Sequence, residues 1–197
     1  MIDWTFNNEL KWSKKLEKVV EFYLFNTPVD NISARGKTFK QLGWDKRKLT
    51  PLLKREIKNE NYLKAVKIGE DLLKKANTNE TKELLVKAYL GNEQYNEALV
   101  LSRELYNSEI SPSNEVFSDY LQALYKTNSV SSLSRIINQN LNSSKGEKKS
   151  ILYYYSAMLS PKNSASHLSL LRSALLTNPR NEDALFAMYQ WYFLSKD

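Results

Sequence analysis

The segment EQYNEALVLSRELYNSE, residues 93–109, carries the clearest signal of the fold when it is compared with ENYLKAVKIGEDLLKKA, residues 60–76. Both segments carry a tyrosine at the third position and an alanine at the sixth, so Tyr62 and Ala65 recur 33 residues later. Apolar residues follow each other at spacings of three and four in both segments, which is the period of an amphipathic helix. The two segments therefore predict one helical unit that occurs twice.

Two later segments continue this period. NSVSSLSRIINQNL places Val130 and Leu133 in the tyrosine and alanine positions, 35 residues further on. SASHLSLLRSALLTNP places His167 in the alanine position after another 34 residues. Spacings of this size indicate a chain built from repeated pairs of helices, and β-type alternation is hard to find.

The segment LGNEQYNEALVLSRELY, residues 90–106, resembles the turn and second helix of the tetratricopeptide repeat, with Tyr95 and Ala98 at two of its signature positions. SALLTNPRN, residues 173–181, resembles the end of that repeat. The resemblance implies an all-α fold, a right-handed α-solenoid of helix hairpins in a superhelix. The tryptophan, glycine and tyrosine expected in the first helix of each repeat are mostly replaced here.

The repeat frame divides the chain into an N-terminal part and about four and a half units. The units are 46–79, 80–112, 113–147, 148–181 and a partial unit 182–197. Thr50 and Pro51 predict the start of a helix as cap and first helical residue, and Ser111 and Pro112 predict the start of the third unit in the same way.

Residues 1–45 lie outside the repeat frame. ELKWSKKLEKVVEFYLF predicts an amphipathic helix, followed by a connector over 27–45 that contains both Gly36 and Gly43. One interpretation is a capping helix that shields the first repeat, and the other is a docking element for a partner. Connectors of this length are often functional or poorly ordered.

Charge and composition restrict the classes of function. The 197 residues carry a net charge of +7, but the basic excess lies in residues 1–60 and 121–197, whereas residues 61–120 are acidic. Such a distribution argues against an evenly basic groove for nucleic acid. The chain has no cysteine, which excludes disulfides and zinc–thiolate sites. No apolar run approaches the roughly 20 residues needed to span a bilayer.

The sequence predicts no catalytic, metal or cofactor site. His167 is the only histidine and occupies a position that the repeat fills with a small residue, so a structural role is expected. ARGKTF lacks the glycine spacing of a phosphate-binding loop. The adjacent carboxylates Glu182 and Asp183 fall in the first turn of a predicted helix, where acidic side chains favour the helix dipole.

The resemblance implies a protein-interaction or scaffold module that binds a polypeptide through a concave groove lined by the first helices. Two alternatives remain open: an accessory arm of a larger cell-envelope protein, and nucleic-acid binding through the basic ends. The compartment is open too, whether cytoplasmic or, after removal of a signal peptide, periplasmic. The predicted groove residues, among which Glu83 and Ser118 also fall, are Lys54, Lys58, Lys87, Gln122, Tyr125, Ser156, Phe186 and Gln190.

The last predicted helix, RNEDALFAMYQWYFL, is rich in aromatic residues. One preceding repeat cannot bury all of them, so we expect an exposed apolar patch of the kind that marks interfaces. Trp191 and Phe193 are the residues predicted to mediate self-association. A following helix that would cover them is also conceivable, and the apolar character of the segment favours the interpretation that the chain is a fragment of a longer solenoid.

Overall fold

The computed structural model describes residues 46–108, 112–162 and 164–194, and every regular element in these ranges is an α-helix. The helices are α1 (Lys46–Lys58), α2 (Tyr62–Lys75), α3 (Asn79–Gly91), α4 (Tyr95–Ser108), α5 (Asn114–Lys126), α6 (Val130–Asn140), α7 (Gly146–Leu159), α8 (Ala165–Thr177) and α9 (Glu182–Leu194). The all-α prediction is confirmed. The N-terminal helix and connector predicted for residues 1–45 lie outside the described residues.

The turns that follow α1, α3 and α5 share one backbone conformation. Each contains a residue with a left-handed φ, namely Glu60 at 59°, Glu93 at 61° and Asn128 at 53°. Left-handed residues are common just after the last turn of a helix, where they reverse the chain. Their positions repeat at the intervals of 33 and 35 residues read from the sequence, so the period of the sequence is also a period of the backbone.

The hydrogen bonds of these three turns match as well. In each, the N–H of the left-handed residue donates to the carbonyl three residues back, and the next N–H donates to the carbonyl five residues back. This pair of bonds is the Schellman motif, which satisfies carbonyls left free at the end of a helix. The longer bonds are Asn61 to Glu56, Gln94 to Tyr89 and Ser129 to Leu124, all 2.9 Å.

The chain forms two compact units that divide between Ala88 and Tyr89. In the first unit α1 packs against α2, and fully buried leucines such as Leu53, Leu72 and Leu85 form its core. In the second unit α5, α6 and α7 pack against one another, and α8 lies against both α7 and α9. Its larger hydrophobic cluster includes Phe117 and Leu152.

The position that aligns the four repeats is buried in every one of them. Ala65, Ala98 and Leu133 have no exposed surface, and His167 is 4% exposed. Each lies in the first turn or two of α2, α4, α6 or α8, at the second helix of its pair. A small or closely packed residue there lets two helices approach each other, as the repeat pattern requires.

Two predicted helix starts are wrong. α1 already includes Lys46, so Pro51 lies inside the helix instead of at its first position, because burial of Leu49 extends the apolar face towards the N-terminus. α5 is capped by Ser113, whose Oγ accepts a hydrogen bond from the N–H of Val116 at 3.2 Å. Pro112, predicted to lie in the first turn, therefore precedes the helix, and the predicted cap Ser111 lies outside the described ranges.

None of the helices within residues 46–108, 112–162 and 164–194 has both the length and the apolar character needed to cross a membrane.

Candidate interaction surfaces

Three predicted groove residues of the first unit, Lys54, Lys58 and Lys87, are basic, whereas Glu83 is acidic, and Lys54 forms an ion pair. Lys54 Nζ lies 3.0 Å from Glu80 Oε1, and both side chains are about half exposed. Lys58 is exposed near the end of α1, and Lys87 is half-buried on α3. The pairing of Lys54 with Glu80 reduces the positive charge that this part of the predicted groove offers to a ligand, because the two charges partly cancel.

In the second unit the structure brings together side chains from two predicted first helices. Tyr125 on α5 contacts Tyr155 on α7, with ring centroids 6.1 Å apart. Gln122 lies one turn before Tyr125 and is half-buried. Ser156 is half-buried on α7. Its Oγ donates to the Leu152 carbonyl at 2.8 Å, so the hydroxyl proton is used in a hydrogen bond within the same helix.

Tyr154 extends this contact into a cluster of three rings, hereafter the tyrosine cluster (Tyr125, Tyr154 and Tyr155). The Tyr154 and Tyr155 rings meet edge to face at a centroid distance of 5.0 Å. Tyr155 is buried, whereas Tyr125 and Tyr154 keep part of their surface in water. Two half-buried phenol rings thus contact a buried third ring.

Two carboxylates act on the tyrosine cluster. Burial raises the pKa of Tyr154 to about 12, and the negative charge of Asp183 on α9 adds to this effect. Burial also raises the pKa of Tyr155 well above its usual value, with smaller contributions from Tyr154, Asp183 and Asp119. An acidic residue that opposes ionisation of a nearby phenol produces negative potential there. The surface around the cluster therefore combines aromatic area with negative charge.

A second surface is provided by α9, whose two sides differ sharply. Ala184 and Ala187 are buried against α7 and α8, within a cluster that also contains Ala157, Leu171 and Ala174. The opposite side is exposed and apolar, and it is hereafter the aromatic face. Its residues are Leu185, Phe186, Tyr189, Tyr192 and Phe193, with exposed fractions between 42% and 64%.

The predicted residues of α9 fall on different parts of this helix. Phe186 and Phe193 belong to the aromatic face, and Gln190 is exposed beside them. Trp191 is half-buried, and its ring meets that of Tyr192 edge to face at 5.1 Å. Tyr189 and Phe193 stack at 6.1 Å, so rings within the face already contact one another.

His167 has a structural environment. It is 4% exposed, and its Nδ1 lies 2.8 Å from the carbonyl oxygen of Ala157. A carbonyl only accepts hydrogen bonds, so Nδ1 carries the proton and donates. The backbone N–H of His167 donates to the Ser164 Oγ that caps α8. The residue thus links α8 to the end of α7.

Sequence reasoning did not select Asp119, Tyr154, Tyr155 or Asp183 as surface residues. Tyr154 and Tyr155 belong to the run YYYS, whose helical spacing indicates packing between helices. That interpretation holds for Tyr155 and only in part for Tyr154. The one signal that favoured a surface role was the position of the run directly before Ser156, a predicted groove residue.

Across residues 46–108, 112–162 and 164–194, no three acidic or histidine side chains come together in an arrangement that could hold a metal ion. Comparisons of the chain with models of protein families, with curated proteins and with solved structures found no match.

Proposed function

We propose that this chain is a non-catalytic protein-interaction module of the tetratricopeptide-repeat type, which binds a polypeptide segment on the surface of its first helices. Three observations support the proposal: the recurrent left-handed turns, the buried position shared by all four helix pairs, and the sequence signatures around Tyr95 and Ala98. Stacked helix pairs of this kind expose a continuous row of first helices to ligands.

The contact between Tyr125 and Tyr155 is the main observation that favours the second unit as the peptide-binding surface. It joins two successive first helices, α5 and α7, through Tyr125, a predicted groove residue, and Tyr155, which is buried. Tyrosine suits such a surface because it offers a large, rigid contact area together with a polar hydroxyl. A peptide that crosses α5 and α7 would bury Tyr125 and Tyr154 against the ring of Tyr155.

The charge near the tyrosine cluster favours a peptide with a basic side chain. The charges of Asp119 and Asp183 both act on Tyr155 of the cluster. A lysine or arginine would be attracted by the carboxylates and would also lie favourably over a phenol face. We therefore expect a partner segment in which one basic residue is flanked by apolar residues.

A selection from a random peptide library on the purified chain tests the function. We expect enriched peptides to carry lysine or arginine, and Gln122→Arg and Tyr125→Ala to weaken their binding at least about tenfold, as loss of a central aromatic contact does. Arg135→Ala provides a matched control because Arg135 is exposed on α6, a second helix. Circular dichroism verifies that each variant is folded.

Two results would contradict the proposal. One is the enrichment of no peptide in repeated selections. The other is equal loss of binding on Arg135→Ala and on Gln122→Arg, since this would place the contact outside the α5–α7 surface.

A further inference from the structure

The aromatic face of α9 is an extended apolar surface that is exposed among the described residues of the second unit. We propose that it is an interface between two copies of this chain, in which α9 pairs antiparallel with the α9 of the second copy about a twofold axis. This inference is independent of peptide binding on α5 and α7. It rests on three features: the exposed area of the face, the absence of charged residues along the middle of α9, and the opposite charges near the two ends of that helix.

The exposed area is sufficient for a reversible dimer. Phe186, Tyr189 and Phe193 are each more than 60% exposed, and Leu185 and Tyr192 are exposed by nearly half. An aromatic side chain offers about 150–250 Å² of surface, so the face leaves roughly 500 Å² in contact with water. Two such faces bury about 1,000 Å² in total, which is near the lower limit for a specific interface.

The face is complementary to itself. No charged residue occurs between Asp183 and Leu194, so α9 itself brings no charged side chain into the middle of the seam. Phe186 and Phe193 are seven residues apart, which corresponds to about two helical turns on one side of α9. In an antiparallel pair, Phe186 of each copy faces Phe193 of the other, and the Tyr189 rings meet near the axis.

The charges at the ends of α9 favour the antiparallel direction. Glu182 and Asp183 are exposed in its first turn. Near the other end, Arg172 of α8 donates from Nη2 to the Tyr192 hydroxyl at 3.1 Å. Antiparallel pairing brings the acidic end of one copy beside Arg172 of the other. Parallel pairing would place like charges together, which is unfavourable.

Two charged variants test both the face and its direction. Phe186→Glu and Phe193→Lys each introduce an unpaired charge at the seam, and we expect each to raise the dimer dissociation constant at least about tenfold. An equimolar mixture of the two variants should recover a dimer, because the introduced carboxylate of one then faces the introduced ammonium of the other. In a parallel pair these two groups would not meet.

Analytical ultracentrifugation over a hundredfold range of protein concentration measures the dissociation constants. Val100→Glu is the matched control, since Val100 is 70% exposed on α4 and lies outside the aromatic face. It should leave the dimer unchanged. A wild-type chain that is monomeric at every concentration would overturn the proposal, as would a dimer that both seam variants leave intact. Loss of association in each variant without recovery in the mixture would overturn the antiparallel arrangement.

Discussion

Leu85 occupies the space that a side chain at position 69 would need. A Cβ atom placed on Gly69 would lie 2.7 Å from Leu85 Cδ1 and 3.4 Å from Leu85 Cβ. Both residues are buried, and Leu85 has no exposed surface into which it could turn. Helices α2 and α3 therefore approach each other closely at a glycine, although glycine is a poor residue for the middle of a helix.

We predict that Gly69→Ala destabilises the protein by up to about 2 kcal/mol. Alanine normally favours a helix by about 1 kcal/mol over glycine, but overpacking of a core costs about 1–3 kcal/mol. Chemical denaturation measures the net effect. In a Leu85→Ala background, where the obstacle is removed, the same substitution should be neutral or stabilising. Equal destabilisation in both backgrounds would show that Leu85 is not the cause.

The left-handed turns lead to a ranked prediction. Glu60→Gly and Glu93→Gly should each stabilise the chain by about 0.5–1 kcal/mol, because glycine adopts positive φ without the strain of a side chain. Asn128→Gly should stabilise less, since asparagine tolerates this conformation better than glutamate does. Thermal melts of the three variants give the order. A larger gain at Asn128 than at Glu93 would contradict the strain argument.

Alkaline pH should weaken the fold through Tyr154. Its folded-state pKa is about 12, against 10.0 for the unperturbed side chain, so the unfolded chain loses this proton first. The stabilisation is complete below pH 10 and is lost as the pH rises towards 12. Tyr154→Phe should therefore make the stability fall less steeply over this interval, as followed by denaturant unfolding. A spectrophotometric titration in which Tyr154→Phe removes a group that ionises near pH 10 would contradict the assignment.

A buried polar link joins α7, α8 and α9. Ser150 Oγ donates to the Ala174 carbonyl at 2.7 Å and accepts from Asn181 Nδ2 at 2.9 Å. Asn181 Oδ1 also caps α9 by accepting from the N–H of Ala184 at 3.0 Å. We predict that Asn181→Ala lowers the free energy of unfolding by about 0.5–2 kcal/mol, the usual range for loss of a cap.

Asn181→Asp separates the two roles of this asparagine. The carboxylate keeps the acceptor for the cap but cannot donate to Ser150 Oγ, so the loss measured by denaturation should come mainly from the altered link to α7. The link is confirmed if Asn181→Asp lowers the stability of the chain that has Ser150 but does not change the stability of the Ser150→Ala variant. If Asn181→Asp lowers the free energy of unfolding equally in both backgrounds, the effect arises at the cap and not from the link to Ser150.

Much of the fold follows from short-range patterns in the sequence. Three- and four-residue spacing predicts the helices, and the recurrence of Tyr62 and Ala65 at Tyr95 and Ala98 predicts where two of the turns lie. Helix starts were less predictable. Thr50 and Pro51 carry a good local start signal, yet burial of Leu49 extends α1 past it. Such burial depends on neighbours that a local pattern does not contain.

The candidate surfaces were predictable only in part for the same reason. A predominantly apolar helix such as α9 offers little periodic contrast, so its buried side cannot be read from its own residues. The structure places Ala184 and Ala187 inside and Phe186 and Tyr189 outside. Likewise, the role of Asp183 near Tyr154 arises from the packing of α9 beside α7 and has no signature in the sequence.

The order of helix packing has a consequence for how the chain is made. Every closely packed pair of helices described above is separated by at most one helix along the chain. A contact of this kind closes only a short loop, and the entropy cost of closure is correspondingly small. On the ribosome, each pair can dock soon after its second helix emerges. Synthesis and folding of the described helices can therefore run in the same direction, from α1 towards α9.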